Sequence, residues 1–303
     1  MTVVDLEAGQ LSVRVSTKGG LVLDFWREVG DRKVPLLRPS SSDNVDALGS
    51  ACYPLVPFGN RVKDNRFSFD GNDYRFSANT EWDKHYLHGE GWQADWSIVQ
   101  QTQASIEMGF TQSGGHTPYV YQASQRFVLD ETGLTLTLVV ENRGERAMPF
   151  GLGWHPYFPL TPGTTLLAPA RAFWTEAEGW LPGERTAIPE DLDFGSPAPL
   201  PHRWVNNGFE DWSGEAFITW PELATTLHLK ADAIFKHAFV FVSDTTFDTS
   251  FRRDYFCFEP MSHLANGQNM LDLGDLKILA PGQSMFGSIY LRPSSIYIEY
   301  RSF

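Results

Sequence analysis

Apolar and polar residues alternate one by one wherever a period can be read along the chain, as in LSVRVS (11–16), RFSFDGNDYRFS (66–77) and SIYIEYR (295–301). A period of two sends successive side chains to opposite faces of an extended backbone, so these stretches predict half-buried β-strands. The same alternation, or a short apolar run, predicts strands over 21–26, 95–100, 105–110, 238–243, 255–260 and 284–292. Asp70-Gly71 separates two alternating runs, and Asp-Glu-Thr-Gly (130–133) separates RFVL from LTLTLVV. Both predict hairpins, since these residue types tolerate the tight turns that join antiparallel strands. No segment carries the 3.6-residue period of a long amphipathic helix.

The glycines and prolines are spread along the chain instead of gathering in one linker, which leaves no place to cut it. Residues 1–303 therefore read as one all-β domain, a large antiparallel β architecture. The stretch Thr161 to Pro201, with PGTT, LPGE and SPAPLP, reads as an excursion over the surface. With 42% hydrophobic and 20% charged residues the chain has the balance of a folded protein and not of a disordered one. Its net charge of -13 opposes binding to nucleic acid or to an anionic membrane surface and leaves a small neutral partner as the easier one.

The N-terminus, MTVVDLEAGQLSV, shows no basic region followed by an apolar run, so no secretory signal is expected. Cys52 and Cys257 sit among apolar neighbours and are expected to be buried free thiols, which suits a cytoplasmic protein. His85 and His88 are three apart, but without a third ligand at known spacing they make a weak metal motif, and no metal site is expected.

Four stretches combine Gly, Pro or aromatic residues with one or two polar groups at the edge of an apolar run: PLVPFGNRV (54–62), HYLHGEGW (85–92), GWHPYF (153–158) and CFEP (257–260). Each has a plain structural role open to it. Asn60-Arg61 suits a turn with a surface cation, His88-Gly89 a loop, His155 a satisfied core histidine, and Glu259-Pro260 a strand end facing water. Together they fit better a concave, mostly apolar site on which a few polar groups converge.

In this order and over most of the chain, the four stretches resemble the aldose 1-epimerase (mutarotase) family. NRVKDNRFSFDG followed by YLHGEGW, then GWHPYF, FCFEP and LAPGQSMFGSIYL carry the likeness. The resemblance implies a galactose mutarotase-like supersandwich, a large antiparallel β-sandwich. It also implies catalysis of α/β anomer exchange in a free aldose, with Glu259 as base, His155 as acid and His88 orienting or polarising the ring oxygen. Asn60, Arg61 and Asn206 would hold sugar hydroxyls. One departure stands out: relatives carry an aspartate in Leu-Asp-x-x-Phe-x-x-Trp, where this chain has VNNGFEDW with Asn206 at that place.

Anomer exchange requires a proton to leave the anomeric hydroxyl and one to reach the ring oxygen, so that the ring opens to an aldehyde. A base and an acid on opposite sides of the sugar suffice, with no metal or redox cofactor. A histidine near its ordinary pKa of about 6.5 becomes a usable acid through modest shifts in environment. Two other readings compete. A non-catalytic carbohydrate-binding module on the same fold would not need both His155 and Glu259. A mutarotase for phosphorylated sugars would need a cluster of cations, of which only Arg61 is visible. The oligomeric state is not legible.

Overall fold

The computed structural model describes residues 1–43 and 45–296. Its strands are antiparallel throughout, and two large sheets, of nine and eight strands, dominate. The centre of the nine-stranded sheet is the run Ser105–Ser113, Val120–Asp130, Gly133–Asn142, Ser284–Ser295 and Thr225–Ala231. The eight-stranded sheet runs from the edge strand Leu181–Thr186 through Ala172–Ala177, Val205–Glu210, His237–Val242 and Tyr255–Met261 to Gly153–Trp154 and Pro54–Leu55, with Tyr157–Pro159 also pairing Tyr255–Met261. A smaller sheet of four strands spans Val3–Pro35.

One continuous core lies between the two large sheets. Leu136, Leu138, Ile289 and Leu229 of the first meet Val240, Val242, Phe256 and Phe258 of the second. Trp154 stands edge-on to Phe127, with ring centroids 5.9 Å apart, and the buried indole N–H of Trp220 donates to the Pro159 carbonyl at 2.7 Å. Each fully buried large apolar side chain contributes roughly 1.5–3 kcal/mol, so this double layer supplies the main drive to fold. The large antiparallel β-sandwich read from the chain is the observed architecture.

Strand positions follow the alternation closely. The Asp70-Gly71 turn has both residues in the left-handed region, φ 49° and 71°, as a type I′ hairpin requires. In the second hairpin Asp130 Oδ1 accepts from the Thr132 and Gly133 amides and closes the turn. Of the expected strand 295–301, Ser295 ends Ser284–Ser295, while residues 297–301 lie outside the described residues.

The region 161–201 differs from expectation. It contains Thr165–Leu167, Ala172–Ala177, Leu181–Thr186 and Ala198–Pro199, and two of these extend the eight-stranded sheet. Pro182 and Gly183 hid the pattern. They sit in the edge strand beside a register shift between Trp174 and Glu176, where proline and glycine are tolerated. Among the described residues no helix is long and apolar enough to cross a membrane, and both cysteines are free and buried.

Candidate active site

Alternation along the strand Tyr255–Met261 builds the floor of the site. Phe256 and Phe258 point into the main core, whereas Cys257 and Met261 belong to a second apolar cluster on the opposite face with Tyr53, Leu55, Tyr157 and Phe239. Glu259 is spaced by two from both and shares their face. Pairing extends that face sideways: Glu259 lies beside Phe239, Cys257 beside Phe241, and Phe241 beside Asn206 of Val205–Glu210. The result is a cavity of about 1000 Å³, at the top of the usual range for small-molecule sites.

His155 follows the short strand Gly153–Trp154 and is anchored by its backbone N–H to the Tyr53 carbonyl at 2.9 Å. Its ring packs against both Tyr53 and Tyr157, with centroids at 4.4 and 4.9 Å, and the two tyrosines also touch each other at 6.2 Å. From there Nε2 lies 3.2 Å from Glu259 Oε1, both side chains being buried. Glu259 Oε2 is buried without a hydrogen-bond partner among the described residues. Buried polar atoms are nearly always satisfied, so a bare carboxylate oxygen lining a cavity marks a place for a ligand.

His88 approaches from the other wall with φ 60°, the left-handed region. Its Nδ1 accepts the Asn60 amide at 2.9 Å, and its own amide donates to the Asn60 carbonyl at 3.0 Å. An Nδ1 that accepts carries no proton, so the neutral ring must hold its proton on Nε2. That makes His88 a hydrogen-bond donor to the cavity. Asn60, at φ 62°, turns Oδ1 back to the Arg61 amide at 2.8 Å. Arg61 is buried and not the surface cation its turn suggests. Its Nε donates to Asp83 Oδ2 at 2.7 Å, and its guanidinium lies 5.1 Å from the Trp180 ring centre.

The structure thus brings Glu259, His155, His88, Asn60, Arg61 and Asn206 around one cavity. It adds Tyr157 from within GWHPYF and residues that no motif pointed to: Arg38, Tyr53, Trp180 and Trp204 on the walls, with Asp83 behind Arg61. Arg38 packs its guanidinium over Tyr157 and Tyr255 and donates to the Leu48 and Ser50 carbonyls. His263, behind the cavity, accepts the Gly59 amide on Nε2 at 3.0 Å and braces the segment that carries Asn60. Apart from Tyr157, no local sequence signal distinguishes these from core or surface residues, because each meets a partner distant in the chain.

Comparison with known proteins gives the family. The aldose 1-epimerase family profile matches residues 2–292. The chain belongs to the aldose 1-epimerase family. It is 44% identical over 293 residues to the Escherichia coli K12 protein YphB, whose role is uncharacterised, covering 96% of this chain and 99% of that one. A crystal structure of an aldose 1-epimerase candidate from the same organism superposes with a TM-score of 0.92 at 43% identity, covering 97% of this chain and 99% of that one. A galactose mutarotase-like protein from Clostridium acetobutylicum shares the fold at a TM-score of 0.82 and 19% identity, covering 97% and 95% of the two chains.

In this aldose 1-epimerase family chain, electrostatics follow from burial. Loss of water raises the Glu259 carboxyl well above the ordinary range, only partly offset by the Arg61 charge. Burial pushes His155 down to about 3, and His88 is lowered well below its usual value, first by burial and then by the neighbouring His155 and Arg61. His155 is therefore displaced much further than the modest shift expected from its surroundings in sequence. Packing against Tyr53 and Tyr157 removes the water that would solvate a cation. His85 and His88 point their Nδ1 atoms at separate backbone amides, those of Asp64 and Asn60. Among the described residues no group of three or more His, Cys, Asp or Glu side chains is placed to hold a metal ion.

Proposed function

We propose that this protein is an aldose 1-epimerase, an isomerase that interconverts the α and β anomers of a free aldose. The observation that carries the reading is the buried 3.2 Å contact between His155 Nε2 and Glu259 Oε1 at the floor of the cavity. Burial disfavours the ionised form of both partners, lowering His155 and raising Glu259, which suits a pair that works with one proton shared between them. That proton resides on either side of the contact without any change in net charge.

Such a pair is suited to the reaction. The leaving proton and the arriving proton belong to two oxygens bonded to the same carbon, the anomeric hydroxyl and the ring oxygen. A base and an acid in contact with each other reach both, so they need not face each other across the sugar. With the proton on His155, Glu259 takes the hydroxyl proton while His155 protonates the ring oxygen. The bond from the anomeric carbon to the ring oxygen breaks, its electron pair stays on that oxygen, and the carbonyl forms. The pair is left as neutral imidazole and carboxylic acid, still holding one proton. Rotation about the adjacent carbon–carbon bond presents the other carbonyl face. Closure then returns both protons.

His88, through Nε2–H, steadies the ring oxygen as charge develops there, while Asn60, Arg61 and Asn206 hold hydroxyls. Both cavity guanidiniums are already engaged, Arg61 by Asp83 and Arg38 by two carbonyls, and Asp244 and Asp248 stand at the mouth. This favours a neutral sugar over a phosphorylated one. The one-domain reading of 1–303 is proposed on the same footing, supported by the profile match over 2–292 and the core shared by both sheets.

The test is polarimetry or NMR exchange on freshly dissolved aldoses. Acceleration of anomer exchange by the wild-type protein, lost in Glu259→Gln, supports the reading. Sugar binding without acceleration would identify a non-catalytic binding protein and overturn it.

A further inference from the structure

Asn206, on the cavity wall, is met by a neighbouring carboxylate. In the pairing of Ala172–Ala177 with Val205–Glu210, Trp174 lies opposite Gly208, and continuing that register places Glu176 opposite Asn206. The side chains meet: Asn206 Nδ2 donates to Glu176 Oε2 in a short hydrogen bond. The indole N–H of Trp204 donates to the same carboxylate, 3.2 and 3.1 Å from its two oxygens. Asn206 and Trp204 both line the cavity, whereas Glu176 is exposed and is not among the lining residues.

We infer that Glu176 is a positioning residue for substrate recognition: its carboxylate holds the Asn206 amide with Nδ2 turned away and Oδ1 offered to the bound sugar. The inference rests on reading the cavity as a sugar site. A carboxylate accepts hydrogen bonds and has none to give. Turning the amide over would set Oδ1 against Glu176, losing a charge-assisted bond and replacing it with repulsion between two acceptors. The backbone holds the amide in place as well, since the Asn206 N–H donates to Asn207 Oδ1 at 3.2 Å and Asn207 Nδ2 donates to the Trp174 carbonyl at 2.9 Å. Oδ1 accepts nothing from the described residues. Asn206 is thus an uncharged acceptor for a hydroxyl.

Glu176 and Asn206 consequently form a matched pair. Aspartate at 206 would press one carboxylate against another, and two in contact do not both ionise freely. Glutamine at 176 would accept that aspartate, because its amide donates.

The experiment compares wild type, Glu176→Gln, Asn206→Asp and the double variant, by anomer-exchange kinetics and by equilibrium sugar binding followed through tryptophan fluorescence, over a panel of epimeric aldoses. Each single variant is expected to lose about 5- to 10-fold in kcat/KM, the size of one hydrogen bond, and to lose it through KM, since neither residue transfers a proton. The double variant should return to within about threefold of wild type. In Asn206→Asp alone, KM should recover as pH is lowered, when a proton relieves the paired carboxylates; in wild type it should not. A double variant no better than the worse single one, or a Glu176→Gln protein indistinguishable from wild type in KM and binding, overturns the inference alone. A wild-type protein that neither binds nor exchanges any aldose overturns the sugar-site reading and this inference with it.

Discussion

The floor and the rim of the cavity handle polarity in opposite ways. On the floor, Glu259 and His155 are sealed by Tyr53, Tyr157 and Phe239, and one carboxylate oxygen is left without a partner. At the rim, the exposed Glu176 carboxylate accepts from the half-buried Trp204 indole and from the buried Asn206 amide. Burial makes protonation state the variable on the floor, because moving a proton between two desolvated partners leaves the net charge unchanged. At the rim, solvent screens charge and hydrogen-bond direction becomes the variable. Reactivity is thereby separated from discrimination, and the two regions should respond to mutation on different scales.

The largest effects are expected on the floor. Glu259→Gln keeps the shape and the contact with His155 but removes the base, and His155→Asn removes the acid. Each should lower turnover by roughly two to four orders of magnitude, measured by polarimetry with folding checked by circular dichroism. A rim-sized loss in either folded variant would erase the distinction. His88→Asn preserves an acceptor for the Asn60 amide but removes the Nε2–H donor, and about a 10²-fold loss in kcat is expected.

The pH dependence sharpens the contrast. The working state of the floor carries one proton, and burial holds His155 down to about 3. Activity should therefore persist in acid well below pH 6.5, where an ordinary histidine would have taken up a second proton. It should fall on the alkaline side, as Glu259, raised by burial, gives up the only proton. A kcat/KM profile breaking at pH 6 to 7 on its acid limb would contradict this.

Stability follows the same linkage. The folded Glu259 keeps a proton that the unfolded chain releases above about pH 4.3, so wild type loses stability as pH rises from there toward the raised folded value. Glu259→Gln should be more stable than wild type, with little difference near pH 4 and a growing one toward pH 8, Tm rising by about 1–2 °C for each kcal/mol recovered. For His155, His88 and His263 the folded values are depressed by burial. Their cost appears as pH falls below about 6.5, where only the unfolded chain takes up protons.

Rim variants come next in size. Asn206→Ala should change the ratio of kcat/KM between sugars differing at one hydroxyl by on the order of 1 kcal/mol, and an unchanged ranking would place Asn206 outside the recognition surface. The smallest effect is expected from a chelator, which should leave the exchange rate unaltered; loss of activity restored by zinc would refute a floor built on protons alone.

By itself the sequence determined the β class, most strand positions and the polar residues worth naming. Those depend on local physics: a period of two selects extended chain, Asp70-Gly71 tolerates left-handed backbone, and lone polar groups inside GWHPYF or CFEP stand out from their apolar neighbours. It could not determine which strands lie side by side, since alternation tells which residues share a face but not which face they meet. Sheet register alone set Phe241 between Cys257 and Asn206, and tertiary packing alone carried His155 to Glu259. The edge hairpin Ala172–Thr186, hidden by Pro182 and Gly183, had to be in place before Glu176 could face Asn206. Protonation was likewise decided only in three dimensions. Desolvation is a property of everything packed around a group, which is why His155, ordinary as a residue type, is held down to about 3 beside a carboxyl that burial pushes up.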